Sequence, residues 1–271
     1  MNQPVYLAHL AATGQSLSTS DGRDIPVMEL TVPTNPACLS DWAKRFRQNY
    51  CLDAEIEELL FGTGLSRAEY LVRYAFPDES VKPGPSIRSG DFAELLLTDY
   101  VEFVLGYRVL RDKYGAKESR DESAKGVDII GLRQLSPGVS DPSDELLTYE
   151  VKGQLSGGKY TERLQKAIDD SAKDYFRTGT SLNAAKKRFI KEHKTSDALE
   201  ISRFQNLNDN PYKIRCGAAA VLSDDSYCET SIGATKSVDH VDPKNLELLI
   251  IKGTSLMALA HSIYKLAADE A

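Results

Sequence analysis

The chain has 271 residues, enough for one large or two small domains, and 41% hydrophobic against 27% charged side chains is the balance of a globular protein with a buried core. Its net charge of −7 argues against indiscriminate nucleic-acid binding, because neutralising phosphates takes basic residues. No apolar run approaches the roughly 20 residues that span a bilayer. Met1-Asn2-Gln3-Pro4 lacks the basic start of a signal peptide, and the scattered Cys38, Cys51, Cys216 and Cys228 suggest neither a zinc site nor a disulfide framework, so a cytoplasmic location is expected.

Residues 1–37 read as short extended pieces, punctuated by Gly14, Asp21-Gly22 and Pro33. Ser40 or Asp41 is placed to cap a helix whose Trp42, Phe46 and Tyr50 form an apolar stripe. A second helix is predicted over Asp53 to Phe61, and a third from Ser66 to about Phe76. The turn-rich residues 76–85, with Pro77, Pro83, Gly84 and Pro85, read as a linker. A boundary is expected there, with an N-terminal region 1–85 that covers the core or docks a partner, and a second domain over 86–271.

A helix is predicted from Asp91 to about Leu105. Asp91 with Glu94 fits a capping box, in which Glu94 merely reaches back to a backbone N–H. Glu94 is also followed by Leu97, Thr98 and Val101 at three, four and seven positions, so it borders the apolar stripe and can lean toward a sheet. Strands are expected over 107–111, 127–133 and 147–153, the last two joined by a connection rich in Ser, Pro, Gly and Asp. Helices over 160–176 and 182–193, buried strands over 214–222 and 246–251, and a closing helix over 255–268 complete a mixed α/β layer fold.

Two strands carry polar residues that could do chemistry. In Leu147-Thr148-Tyr149-Glu150-Val151-Lys152-Gly153-Gln154, alternation puts Thr148, Glu150, Lys152 and Gln154 on one face and Leu147, Tyr149 and Val151 on the other. Glu150 and Lys152 read either as a surface ion pair or as a metal ligand with a lysine that handles a water. Asp128, in Gly126-Val127-Asp128-Ile129-Ile130-Gly131, precedes Glu150 by 22 residues, and Glu94 precedes Asp128 by 34. A charge between Val127 and Ile129 would be costly if buried and unpaired. Carboxylates brought together repel by roughly 4 kcal/mol at 4 Å and an effective dielectric near 20, so such a cluster needs raised pKa values or a cation. All-oxygen ligands suit Mg²⁺ or Mn²⁺.

A helix with an acid near its start, a strand with Asp and a strand with Glu-x-Lys, in that order, resemble the core of the PD-(D/E)XK nuclease superfamily. The Gly-Val-Asp-Ile-Ile-Gly and Glu-Val-Lys-Gly-Gln segments resemble, within it, the HamA nuclease subunits of the Hachiman antiphage system, whose partner is a helicase, HamB. The likeness covers roughly residues 86–271, and Val127 stands where the superfamily name has proline. It implies a restriction-endonuclease-like mixed sheet flanked by helices, with an N-terminal mixed or helical extension. It also implies a Mg²⁺-dependent deoxyribonuclease, with Mn²⁺ able to substitute, that acts in antiphage defence under a helicase partner. The implied metal ligands are Asp128, Glu150, Glu94 and the Val151 carbonyl. Lys152 would position the water or steady developing charge, and Gln154 would orient water or phosphate.

From Lys152 to Lys194 the sequence holds eleven Lys or Arg against five Asp or Glu. Arg163, Lys166, Lys186, Lys187 and Arg188 in this segment are the candidate DNA contacts, with a solvated helical face as the alternative. His9, His193, His240 and His261 are isolated, and the sequence shows no P-loop, so ATP hydrolysis would have to come from a partner. The competing functions are a non-catalytic DNA-clamping or regulatory subunit that keeps the nuclease fold, and an RNase or other phosphoesterase using the same carboxylates.

Overall fold

A computed structural model describes residues 3–111 and 113–271. Met1 and Asn2, part of the N-terminal stretch read above, and residue 112 lie outside the described residues. The N-terminal extended pieces form an antiparallel hairpin of β1 (Leu10–Ser18) and β2 (Asp24–Leu30), turning at Gly22. Helix α1 (Pro36–Tyr50) starts earlier than Ser40 or Asp41 would have it. Asn35 caps it by accepting the Ala37 N–H at 2.9 Å, and Pro36 suits the first turn because that turn needs no N–H there. Short helices α2 (Ile56–Leu60) and α3 (Arg67–Tyr70) follow, the latter opened by a Ser66–Glu69 capping box.

Helix α4 (Gly84–Asp99) also begins before its predicted start. Its first turn is the Gly84-Pro85 that reads as linker, so Asp91 lies well inside the helix and the Asp91–Glu94 capping-box reading falls. The next strands are β3, reduced to Arg108–Val109, then β4 (Ile129–Arg133) and β5 (Glu145–Gln154). Where two helices were expected there is one, α5 (Arg163–Lys191). It runs through Gly179 because Leu182, Ala185 and Phe189 continue the buried stripe beyond the glycine. The chain closes with α6 (Thr195–Arg203), β6 (Lys213–Ser223), α7 (Glu229–Gly233), β7 (Leu246–Gly253) and α8 (Leu256–Asp269).

Among the described residues seven strands join one mixed sheet in the order β1-β2-β7-β6-β5-β4-β3. The central β5, β6 and β7 are parallel to one another, and β3 and β4 add antiparallel strands beside β5. On one face Leu147, Tyr149, Val151, Ala219, Val221, Leu249 and Ile251 pack under α1, α4 and α8. On the other, Ala218, Ala220, Leu222, Leu248 and Ile250 meet Leu164, Ala167 and Ile168 of α5. The result is an α/β fold whose sheet is covered by helices on both faces. Strands from both sides of the 76–85 segment belong to this sheet, and Phe46 of α1 meets Tyr264 of α8 edge-on at 4.8 Å. Among the described residues no helix is long and apolar enough to cross a membrane.

Candidate active site

Strand β5 is buried on both faces until it emerges at Lys152. Its parallel ladder with β6 sets Glu150 beside Ala218 and Lys152 beside Ala220. Small side chains on β6 let α5 lie close over this face. On the opposite face α4 approaches just as closely at Gly153, where a Cβ would stand 2.7 Å from the Ser89 carbonyl oxygen. The two helices therefore pinch the end of β5 from either side. Between them opens a cleft of about 1110 Å³, lined by Asp91, Glu94, Asp128, Glu150, Lys152, Gln154, Arg163, Asp170 and Arg177 among others.

Asp128 sits one residue before β4 begins, and the last backbone pair of the β4–β5 ladder is Ile129 with Tyr149. Its side chain extends the ladder, since Asp128 Oδ2 accepts the Val151 N–H at 3.0 Å. In a strand the N–H and C=O of one residue point to the same side. The Val151 carbonyl thus emerges toward Asp128, beyond the end of β4. Glu150 is buried and Lys152 Nζ donates to its Oε1. Lys152 also pairs with Asp170 of α5 at 2.9 Å.

Electrostatics at this point are tense. Burial, and next the Asp128 charge, push the Glu150 carboxyl up to about 9. Burial works against the Lys152 ammonium, but the acids around it, Glu150, Asp170 and Asp128, together outweigh that and raise it. Asp174 of α5, which the sequence reading missed, is fully buried beside Glu150, and burial raises it to about 7. Among the described residues its side chain has no hydrogen-bond partner but the protonated Glu150 carboxyl beside it, and Arg177 stands 3.8 Å away. The available signal was its place on the buried stripe of α5, four residues after Asp170.

Glu94 reaches the same cleft from α4, but a lysine stands between it and Asp128. Lys113 Nζ donates to Glu94 Oε1 at 2.7 Å and to the carbonyls of Asp128 and Val127 at 2.9 and 3.1 Å. Burial raises Glu94 to about 7 despite that lysine. Gln154 shares the face of Glu150 and Lys152, yet its amide fastens the following loop. It donates to the Lys159 carbonyl at 2.9 Å and to Ser226 Oγ at 3.1 Å, and accepts from the Thr161 N–H at 3.1 Å.

The basic candidates all lie on α5 and divide by face. Arg163 lines the cleft, and its buried Nε has no hydrogen-bond partner among the described residues. Lys166 and Lys187 are exposed, Lys166 donating to the Thr161 carbonyl at 3.1 Å. Arg188 borders a smaller pocket next to Asp128 and Gly126. Lys186 points the other way and donates to Gln205 at 2.9 Å. By the helical period, Arg163, Lys166, Lys173, Arg177, Lys187, Arg188 and Lys191 share about a third of the circumference.

Among the described residues no three His, Cys, Asp or Glu side chains converge as a ready-made metal cage. What converges is two carboxylates, Asp128 and Glu150, with one backbone carbonyl. That set has the right size and hardness for Mg²⁺, which is commonly held by one or two carboxylates with waters and substrate phosphates. The raised carboxyl pKa values of Glu150 and its neighbour Asp174 are what a cation would relieve. The donor set therefore fits.

Fold and site together define an α/β protein with an acidic, lysine-bearing cleft where its central strands end. The HamA family model matches residues 6–267 of this chain, which belongs to that family. Membership associates the chain with antiphage defence. None of the curated proteins compared with it matches.

Proposed function

We propose that this chain is a Mg²⁺-dependent deoxyribonuclease of the PD-(D/E)XK type, the effector of an antiphage defence system in the cytoplasm, controlled by a helicase partner. The observation that carries the reading is the Asp128–Val151 hydrogen bond. It draws the Asp-bearing strand end against the Glu150–Lys152 strand, so that both carboxylates and a protonated lysine face one cleft. Asp128, Glu150 and the Val151 carbonyl would hold the ion, with Mn²⁺ able to substitute. When bound, the metal supplies Lewis-acid polarisation of a phosphate oxygen and acidification of a water.

The remaining work falls to the chain. Lys152 hands its charge from Glu150 and Asp170 to a scissile phosphate, donating to the oxygens where negative charge grows. Glu150 would serve as one of the ion's ligands once its proton has passed to solvent. Gln154 keeps the loop after β5 in place so that the cleft stays open. The basic face of α5 tracks the nucleic-acid backbone along the cleft. The helicase partner and DNA as substrate rest on the family likeness, and an acidic protein that captures DNA poorly alone suits such control.

The test is loss of supercoiled and linear DNA against Mg²⁺, with EDTA and an RNA substrate as controls. DNA loss that EDTA stops is the expected result. RNA loss with DNA intact would assign another phosphoesterase. One observation favours a second reading, a non-catalytic DNA-clamping subunit: Lys152 in the cleft, and Lys113 between the cleft acids Glu94 and Asp128, are already engaged by carboxylates. DNA retention without cutting, with or without the partner and ATP, would establish that reading instead.

A further inference from the structure

Lys113, just ahead of a single turn at Tyr114–Ala116, lies between two acids that line the cleft, Glu94 and Asp128. An ammonium has three N–H donors. Here all three are taken, by Glu94 Oε1 at 2.7 Å, the Asp128 carbonyl at 2.9 Å and the Val127 carbonyl at 3.1 Å. A fourth oxygen, Asp128 Oδ1, stands 3.8 Å away. This is an all-oxygen cage around a positive charge, and the side chains of Lys113 and Glu94 are only 11% and 12% exposed.

The arrangement is fastened a second time. Lys117 pairs with Asp91 at 2.6 Å, with both side chains buried, so two acids of α4 three residues apart meet two lysines four residues apart. Asp91 also accepts from the Tyr50 hydroxyl at 2.6 Å. Swinging Glu94 toward an ion would leave the Lys113 ammonium buried with carbonyls alone, a costly loss for a desolvated charge. Asp128 and Glu150 carry no such burden from Lys113, because its contacts with Asp128 closer than 3.8 Å are to the backbone.

We propose that Lys113 is a positioning residue that serves as the built-in cation of this cleft: it withholds Glu94 from a divalent ion and pins the Val127–Asp128 backbone. The site then takes one divalent cation, at Asp128 and Glu150. This rests on the metal-dependent reading given above and deepens it, since it fixes the stoichiometry and removes one acid from the ligand set.

Calorimetric titration of Mn²⁺ into the full chain tests it, with thermal unfolding of each variant as a control on folding. Wild type takes one Mn²⁺, Glu150→Gln loses it, and Glu94→Gln keeps it with affinity within about threefold. Lys113→Met frees Glu94, so affinity rises by about fivefold or more, or a second ion binds. That gain disappears in the Lys113→Met, Glu94→Gln double variant, which a merely structural lysine would not produce. Two ions in wild type, or a loss of about tenfold or more in Glu94→Gln, would make Glu94 a ligand and overturn the proposal. If Lys113→Met does not fold, those two readouts decide alone. No Mn²⁺ uptake by wild type would overturn the metal reading itself, and this inference with it.

Discussion

Asp128 Oδ2 and the Val151 amide meet at 3.0 Å, one step past the last backbone pair of β4 and β5. A side chain there does the work of a strand residue while keeping its second oxygen for the cleft. The two roles separate by mutation. Asp128→Asn keeps an acceptor for Val151, so stability should hold within about 1 kcal/mol while Mn²⁺ binding and activity fall. Asp128→Ala should in addition lose about 1–3 kcal/mol, because a buried N–H is left unpaired. Urea unfolding beside Mn²⁺ titration reads both.

Stability should vary with pH in a direction set by the buried acids. Glu150 has an ordinary value of 4.5 and is raised to about 9, so between these values the folded chain holds a proton that the unfolded chain has released. A raised folded value gives stability that is full below the unfolded pKa and is lost as pH rises toward the folded one. Unfolding free energy should therefore fall from pH 5 to pH 9, by up to about 1.4 kcal/mol per pH unit for one proton. Mn²⁺ should oppose the fall, taking up more tightly at high pH and releasing protons as it binds. Glu150→Gln should flatten the slope, which thermal scans across pH would show.

Two glycine substitutions test the packing under the site. A Cβ at Gly217 would lie 2.3 Å from the Tyr149 ring across the β5–β6 ladder, so Gly217→Ala should cost about 1–3 kcal/mol. Gly179, exposed inside α5 with nothing within 4 Å of an added Cβ, should behave oppositely. Gly179→Ala should gain about 0.5–1 kcal/mol if α5 is one continuous helix. Melting temperatures of the two variants should move in opposite directions.

Neutralising the exposed basic stripe of α5 beside the cleft should weaken DNA binding without touching the fold. In Lys166→Gln, Lys173→Gln, Lys187→Gln, each lost phosphate contact should lower the salt dependence of binding by about 0.9 for duplex or about 0.7 for a single strand. Lys186→Gln, on the other side of the helix against Gln205, should leave that slope unchanged. Fluorescence anisotropy against salt measures it.

Much of this architecture is legible in the sequence because period-two alternation is a strong signal in β5. It separates Glu150 and Lys152 from Tyr149 and Val151, and the sheet places them on opposite faces accordingly. What escapes is information held in irregular or terminal residues. Gly84-Pro85 reads as linker because proline breaks helices, yet in a first turn it costs nothing, and α4 starts there. Lys113 lies in a stretch without periodicity, so nothing local announces that it will fill the space between Glu94 and Asp128. Asp174 falls on the buried side of a helix otherwise read by its basic face, and only the packing of α5 over β5 brings it to Glu150. Gln154 is on the face that alternation gives it, but its amide partners lie in the loop that follows and on Ser226, which spacing does not reveal.

The most direct measurement is DNA degradation in Mg²⁺ by wild type, Glu150→Ala and Lys152→Ala, alone and with the helicase partner and ATP. We expect wild type to cut and both variants to lose activity by about a hundredfold or more, a loss of some 3 kcal/mol in transition-state stabilisation. Cutting that survives both substitutions would contradict the account and place the chemistry elsewhere in the molecule.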